Sequence, residues 1–355
     1  MIARSFLVLF LLLVAGCATP HERDSPGALE YVAFRIGDGP IISPDTDPSI
    51  GHNIQGPSLI RAPSWIKNPL GRYYLYFADH KGSYIRLAYA DDIKGPWKVH
   101  GPGALRLEDT PFPKSPPAFT QDEMEAYAAR AKAAGLDLAQ FPHVAKEMTT
   151  PHVASPDVQV DEVNQRIVLY YHGLEGFARQ VTRAATSSDG LQFTSGSEIL
   201  GKTYWRAFQH DGMTYALAMP GTFYRATDPL KGFVEGPTLF SPSMRHAAVF
   251  KRDQALYVIW TEVGQDPPER LLMSTIDISA PWETWKESPP TELLRPEKAW
   301  EGAGLPLEKS VRSFAPGPVN QLRDPAIYEE GGRIWLLYAV AGESGIALAE
   351  LKPTK

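Results

Sequence analysis

The chain has 355 residues, 35 Lys+Arg against 41 Asp+Glu, and a formal net charge of −6 with a pI near 5.9. No block of Lys or Arg is present to track phosphates, so the balance argues against a nucleic-acid partner. Hydrophobic content of 43% with 11% aromatic residues suffices for a core, and 29 Gly with 32 Pro point to many tight turns.

Arg4 and the apolar run from Phe6 to Val14 form a targeting segment too short to span a bilayer. Val14-Ala15-Gly16-Cys17 follows and resembles a bacterial lipobox. That resemblance implies loss of residues 1–16 and diacylation of Cys17, two chains being enough for a stable anchor. Ala18 supplies no Asp-type retention signal, so the expected location is the bacterial cell envelope, at the outer membrane. The alternative is a secretory signal with an incidental Cys. Cys17 is the single cysteine, so no disulfide can staple the chain. Residues 17–50, with Pro20, Pro26, Pro40, Pro44 and Pro48, have no sustained period and are expected to be a tether and irregular lead-in.

From residue 51 to 353 a phrase recurs: an extended strand, a turn, and a second strand rich in Tyr and Leu. The second strand appears as Tyr73–Phe77, Ile167–Tyr171, Met213–Leu217, Leu256–Trp260 and Ile334–Tyr338. Such units cannot bury both faces alone and must stack around an axis, which predicts an all-β, five-bladed β-propeller with four-stranded blades. The inner strands are expected at Gly56–Ile60, Ser155–Val158, Tyr204–Phe208, Arg245–Val249 and Leu322–Ile327, and the outer strand of blade four near Trp282–Trp285. Two stretches break the rhythm. Residues 104–150 hold one inserted helix near 120–134, opened by a Thr120/Glu123 capping box, carrying Met124, Tyr127, Ala128 and Ala131 on one face, and stopped at Gly135. Residues 286–320 form a Pro-rich excursion without a period, and loops of such length commonly build lids or walls.

Ser155-Pro156-Asp157-Val158, Arg323-Asp324-Pro325-Ala326-Ile327 and Gly71-Arg72-Tyr73-Tyr74-Leu75-Tyr76 resemble segments of the five-bladed propeller glycoside hydrolases of family 43. The resemblance implies three working carboxylates: a base in a blade-one Asp-Pro, a second Asp that tunes the acid, and a glutamate acid. Asp157 matches the second. The first departs, since Gly56 precedes Pro57. Glu235-Gly236-Pro237 imitates the acid's motif. It follows Asp228–Phe233 just as His100-Gly101-Pro102 follows Asp92–Trp97, which assigns Glu235 to an outer strand at the rim.

Up-and-down blades place the starts of inner strands and the ends of second strands at one mouth. Asn53, Gln55, Asp157, Trp205, Arg206, Arg245, His246, Arg323 and Asp324 come from the first set, and His80, His172, Glu175, Glu262 and Glu343 from the second. The expected catalytic group is Asp157, Asp324, Glu262 and His246, with Glu262, Glu175 and His246 competing as the acid. The others are expected to bind substrate, with the arginines either lowering carboxylate pKa values or gripping an anionic sugar. No His-x-x-x-His or Cys/His cluster has zinc spacing, so no cofactor is expected, while a structural calcium in the funnel stays open. The function this implies is glycoside hydrolysis of a glycan. A noncatalytic glycan-binding lipoprotein, and a lyase or phosphorylase on the same scaffold, remain alternatives. Replacing Cys17 by Ser is expected to move the protein from the membrane to the soluble fraction. Unchanged fractionation of that variant would count against the lipid anchor.

Overall fold

The computed structural model describes residues 29–133, 138 and 144–354. The targeting segment, Cys17 and Gly135 lie outside them. The architecture is a five-bladed β-propeller of four-stranded antiparallel sheets. Strand β1 (Tyr31–Arg35) leads in, followed by blade one, formed by β2 (Gln55–Arg61), β3 (Tyr73–Ala78), β4 (Tyr84–Ala90) and β5 (Lys98–Val99); β6 (Leu105–Arg106) also pairs with β4. Blade two is β7 (Val153–Asp161), β8 (Arg166–Gly176), β9 (Arg179–Ser187) and β10 (Thr194–Ser195). Blade three is β11 (Arg206–His210), β12 (Met213–Ala218), β13 (Thr222–Ala226) and β14 (Val234–Thr238). Blade four is β15 (Met244–Arg252), β16 (Ala255–Glu262), β17 (Leu271–Asp277) and β18 (Thr291–Leu294). Blade five is β19 (Arg323–Glu330), β20 (Arg333–Ala339) and β21 (Ile346–Pro353), and its outer strand is β1.

The second strands show why the ring closes. Side chains alternate across a strand with period two, and each second strand sends alternate residues into two different cores. In β3, Tyr74 and Tyr76 pack toward blade two while Tyr73, Leu75 and Phe77 pack toward blade five. In β20, Ile334, Leu336 and Tyr338 face blade four while Trp335 and Leu337 face blade one. The remaining blades repeat the pattern, giving five interblade cores. A strand buried on both faces has to be apolar throughout, which is why these segments carry no polar alternation.

Two sequence expectations need correction. Residues 31–35 are not irregular lead-in: β1 pairs with β21 from Tyr31↔Pro353 to Arg35↔Ala349, which covers an otherwise unpaired sheet edge. Trp282–Thr284 is a 3-10 turn, not the outer strand of blade four; Trp282 and Trp285 fill the core between blades three and four, and the strand itself is Thr291–Leu294. The insertion carries α1 (Gln121–Ala133), opened by reciprocal Thr120/Glu123 hydrogen bonds, and a shorter helix α2 (Val144–Thr149) that the sequence pattern did not disclose.

The axis is closed by one side chain. Arg206, at the start of β11, donates to the carbonyls of Pro156 and Ala247 at 2.8 Å, of Pro325 at 3.1 Å and of Pro57 at 3.3 Å. Its guanidinium therefore joins blade three to the inner strands of all four other blades. Arg206→Met is expected to cost about 3–5 kcal/mol, the range for removing one partner of a buried charged network. Denaturant unfolding checks this, and a change under 1 kcal/mol would show that the axis does not depend on the guanidinium.

Candidate active site

Four inner strands begin with the same irregularity. The ladder to the second strand skips from Gln55 to Ser58, Ala154 to Asp157, Met244 to Ala247 and Arg323 to Ala326. The skipped pairs are Gly56-Pro57, Ser155-Pro156, Arg245-His246 and Asp324-Pro325. A bulge bends the strand and re-aims side chains, and proline tolerates the missing ladder bond. Gly56, Ser155 and Asp324 have φ of 63°, 47° and 47°, a left-handed conformation that is costly for the last two. Register thus aligns Asp324 with Gly56 and Ser155, and Asp157 lies two residues further along. Gly56 has a packing reason too: a Cβ there would stand 3.1 Å from Ser155 Cα. Any side chain there would crowd blade two and meet the strain of the positive φ.

This register separates the two aspartates expected to share a site. The Asp157 carboxylate accepts from the Ala207 N–H at 2.7 Å, lies 3.7 Å from Arg206 Nη1, and lines a depression at the far end of the axis with Gln159, Phe208 and Lys251. Arg206 stands between it and Asp324 and is electrostatically coupled to both. Arg206 itself is spent on backbone carbonyls, so it is a structural plug and does not grip substrate.

At the mouth side, Asp324 Oδ1 lies 3.3 Å from His246 Nε2. His246 Nδ1 accepts the Asp324 backbone N–H at 3.3 Å, which leaves the ring proton on Nε2. Asp324 is 2% exposed, and its Oδ2 has no protein partner among the described residues. Beside it, Glu343 receives Asn53 Nδ2 at 2.6 Å, Arg323 Nη1 at 2.7 Å and the Ala315 N–H at 3.4 Å. His80 Nδ1 stands 3.6 Å and Arg245 Nη2 3.9 Å from the same carboxylate. Arg245 and Arg323 also flank buried Glu269, at 3.3 and 3.7 Å.

The two carboxyls are driven apart. Burial, then the adjacent Glu343 charge, pushes Asp324 up to about 7 against the pull of Arg245, Arg323 and Arg206. Burial also acts upward on Glu343, but His80, Arg323 and Arg245 outweigh it and hold the carboxylate well below its ordinary range. His246 is kept neutral by burial and by Arg245 and Arg323. His80 moves the other way: burial disfavours its charge, yet Glu343 and Glu147 more than compensate and raise it.

A cavity of about 280 Å³ opens over this cluster, lined by His80, His152, His172, Tyr204, Arg245 and Arg312 among others. The Tyr204 ring sits 4.6 Å from His172 and 4.9 Å from His246, with a φ of 59°. Buried His152 Nε2 and His172 Nδ1 have no partner among the described residues. There, too, no group of three or more His, Cys, Asp or Glu is arranged to hold a metal ion.

Of the residues singled out from sequence, His80, His172 and Arg245 line this cavity, and Asn53, His246, Arg323, Asp324 and Glu343 form the buried cluster beside it. Others do not. Trp205 packs against Tyr170, Tyr224 and Phe233 in the core between blades two and three. Glu175 is held by Arg183 at 2.7 Å, and Glu262 accepts from Ser241 Oγ at 2.7 Å, making no ion pair with His246. Gln55 is buried, and its side-chain amide has no partner among the described residues. Glu235 lies on outer strand β14, bonded to Lys202 and the Tyr224 hydroxyl. Sequence reasoning missed Glu147, Lys81, Glu269, Lys202 and Arg312. Glu147 and Arg312 come from insertions with no repeat to index them, and Glu147 docks on His80 at 3.5 Å and Lys81 at 3.4 Å.

Asp324 keeps its proton up to about pH 7 when folded, whereas an unfolded Asp ionises near about 3.9. The folded state binds the extra proton between those values, so this residue makes stability fall as pH rises through the window. Asp324→Asn removes that dependence. Its melting temperature is expected to shift upward relative to the parent from pH 5 to 7 and then level off. A difference independent of pH would contradict a neutral buried carboxyl.

No family model matches the sequence. Uncharacterized protein R118 of Acanthamoeba polyphaga mimivirus is 33% identical, with 84% of this chain and 83% of that protein aligned. Among solved structures, a family-43 β-xylosidase/α-arabinofuranosidase from a compost microbial metagenome, in complex with xylotriose, superposes with a TM-score of 0.52 at 12% identity, covering 91% of this chain and 96% of that one. An endo-arabinase from Bacteroides thetaiotaomicron gives a TM-score of 0.50 at 12% identity, covering 91% and 97%. The chain belongs to the family of the mimivirus R118 protein, and its five-bladed propeller is the fold of the family-43 glycoside hydrolases.

Proposed function

We propose that this protein is a glycoside hydrolase in which Asp324 is the acid, held on the cell envelope by acylated Cys17. One observation carries the reading: two carboxyls in one buried cluster, Asp324 neutral to about pH 7 and Glu343 anionic. Acetal cleavage needs that division of charge, and environments that push two carboxyls apart assign the roles. Asp324 gives its proton to the leaving glycosidic oxygen as the C–O bond breaks. Glu343 stays charged, which adds to burial in keeping Asp324 protonated beforehand and favours the oxocarbenium-like centre. Water then adds its hydroxyl to the anomeric carbon and returns its proton to Asp324, so one carboxyl works twice. Gly56 is compatible with this economy, because no second carboxylate is required in blade one. Asp324 is buried and does not line the cavity, so a substrate reaches Oδ2 only by displacing covering side chains; Tyr204, which lines the cavity and packs on His246, is the candidate to move.

A noncatalytic glycan-binding reading is favoured by a different observation, the near-complete burial of Asp324. A panel of plant and algal glycans separates the two. New reducing ends are expected, with Asp324→Asn and Glu343→Gln each lowering kcat by two or more orders of magnitude while remaining folded. In the parent, kcat/KM is expected to fall above about pH 7 as Asp324 loses its proton. Retention of a glycan without products would establish binding in place of hydrolysis, and full activity in Asp324→Asn would remove the assigned acid.

A further inference from the structure

The mouth cavity has a one-sided charge. Its lining includes three cationic side chains, Lys202, Arg245 and Arg312, and no Asp or Glu among the described residues. Two of the three are balanced from behind: Arg245 by Glu269 and Glu343, and Lys202 by Glu235 at 2.9 Å. Arg312 is different. Its guanidinium donates to Met219 Sδ at 3.2 Å and to the Pro242 carbonyl at 3.0 Å, its Nε is buried without a partner, and no carboxylate of the described residues pairs with it. Burial and the like charge of Arg245 both press its pKa down. Arg312 is half-buried, and a cation drawn partly out of water with only a thioether and one carbonyl as partners is better satisfied when an anion arrives.

We infer that the cavity takes a single anionic sugar unit, with Arg312 receiving its carboxylate or sulfate and Lys202 and Arg245 reinforcing the field. The cavity volume of about 280 Å³ suits one ring and not an extended chain, since pockets for larger ligands run to about 1,000 Å³. The neutral rings of His152 and His172 line the same cavity, their Nε2 and Nδ1 buried without partners among the described residues. His152 Nδ1 is engaged by the Thr150 carbonyl at 2.8 Å, which leaves Nε2 as an acceptor. A guanidinium offers paired donors in a planar fork that matches carboxylate and sulfate oxygens. This names the charge class of the substrate and, for turnover, rests on the hydrolase reading above.

The experiment is calorimetric titration of the purified protein with matched methyl glycosides in the gluco, galacto and manno series. Each series contains the neutral sugar, its uronate and its 6-sulfate, and inorganic sulfate serves as a separate arm. At least one acidic glycoside is expected to bind ten-fold or more tightly than its neutral partner and to weaken with added salt. Whether the uronate or the sulfate leads identifies the anion, and tight binding of inorganic sulfate alone would show an anion site that does not recognise sugar, overturning the inference. Arg312→Gln should abolish the acidic preference and Arg312→Lys should keep part of it, with both variants melting near the parent temperature. Absence of any acidic preference, or an equal loss for neutral and acidic members in Arg312→Gln, also overturns it. The two readings fail separately. Arg312-dependent uronate binding without reducing ends from any glycan refutes hydrolysis alone, whereas cleavage of neutral glycans without acidic preference refutes the anionic unit alone.

Discussion

The Arg206 guanidinium is the constraint from which the rest of the molecule can be ordered. A propeller axis is lined by the first strands of its blades, and at the level of the bulges their carbonyls point inward with no neighbouring strand to satisfy them. One planar cation with five donors answers carbonyls from four blades at once. A small apolar plug would leave those oxygens unpaired, and a lysine could not span them. By occupying the axis, the side chain also stands between two ends, with Asp157 below and Asp324 above.

Above that plug the site is an exercise in uneven compensation. Arg245 and Arg323 are buried and stand against the carboxyls of Glu269 and Glu343. Burial, and then the Glu343 carboxylate, raises its neighbour Asp324, whose Oδ1 stands 3.3 Å from the neutral ring of His246. The cluster therefore stores one proton in a place where neighbouring arginines would ordinarily expel it. His80 links this interior to the insertion, standing between Glu343 of blade five and Glu147 of α2. Charge placement in the core and the seating of the helical insert thus share a residue.

Much of the architecture was legible because the second strands are buried on both faces and so must be continuous apolar runs, recognisable as Tyr73–Phe77 or Ile334–Tyr338 without knowing their partners. The location of the mouth followed from the direction of the strands, and the group around Asp324, His246, Arg323 and Glu343 followed with it. What the sequence concealed depended on register and on insertions. The two-residue offset between Asp157 and Asp324 is invisible until the ladder shows where each bulge falls. Trp205 looks like a sugar platform in a list of strand-start aromatics, yet its side of the strand faces a core. Strand β1 hid among prolines because a five-residue edge strand with alternating burial has too short a pattern to stand out. Arg312 and Glu147 lie in segments without a repeat, where no neighbouring copy indicates which way a side chain points.

The pairing of β1 with β21 bears on how the chain can be made. These strands are joined by contacts such as Tyr31↔Pro353, the first and last regular segments of the described fold. In the folding chain β1 has no partner until the strands of the final blade are in place. Blades one to four can form from neighbouring sequence as they appear, since each of their sheets is local in the chain. The fifth cannot, and it carries the Asp324–Glu343 pair. Loop closure over nearly the whole polypeptide makes this the late step of folding. The chemistry of the mouth is therefore withheld until the ring closes, and a chain lacking β21 would display an open sheet edge and no assembled centre.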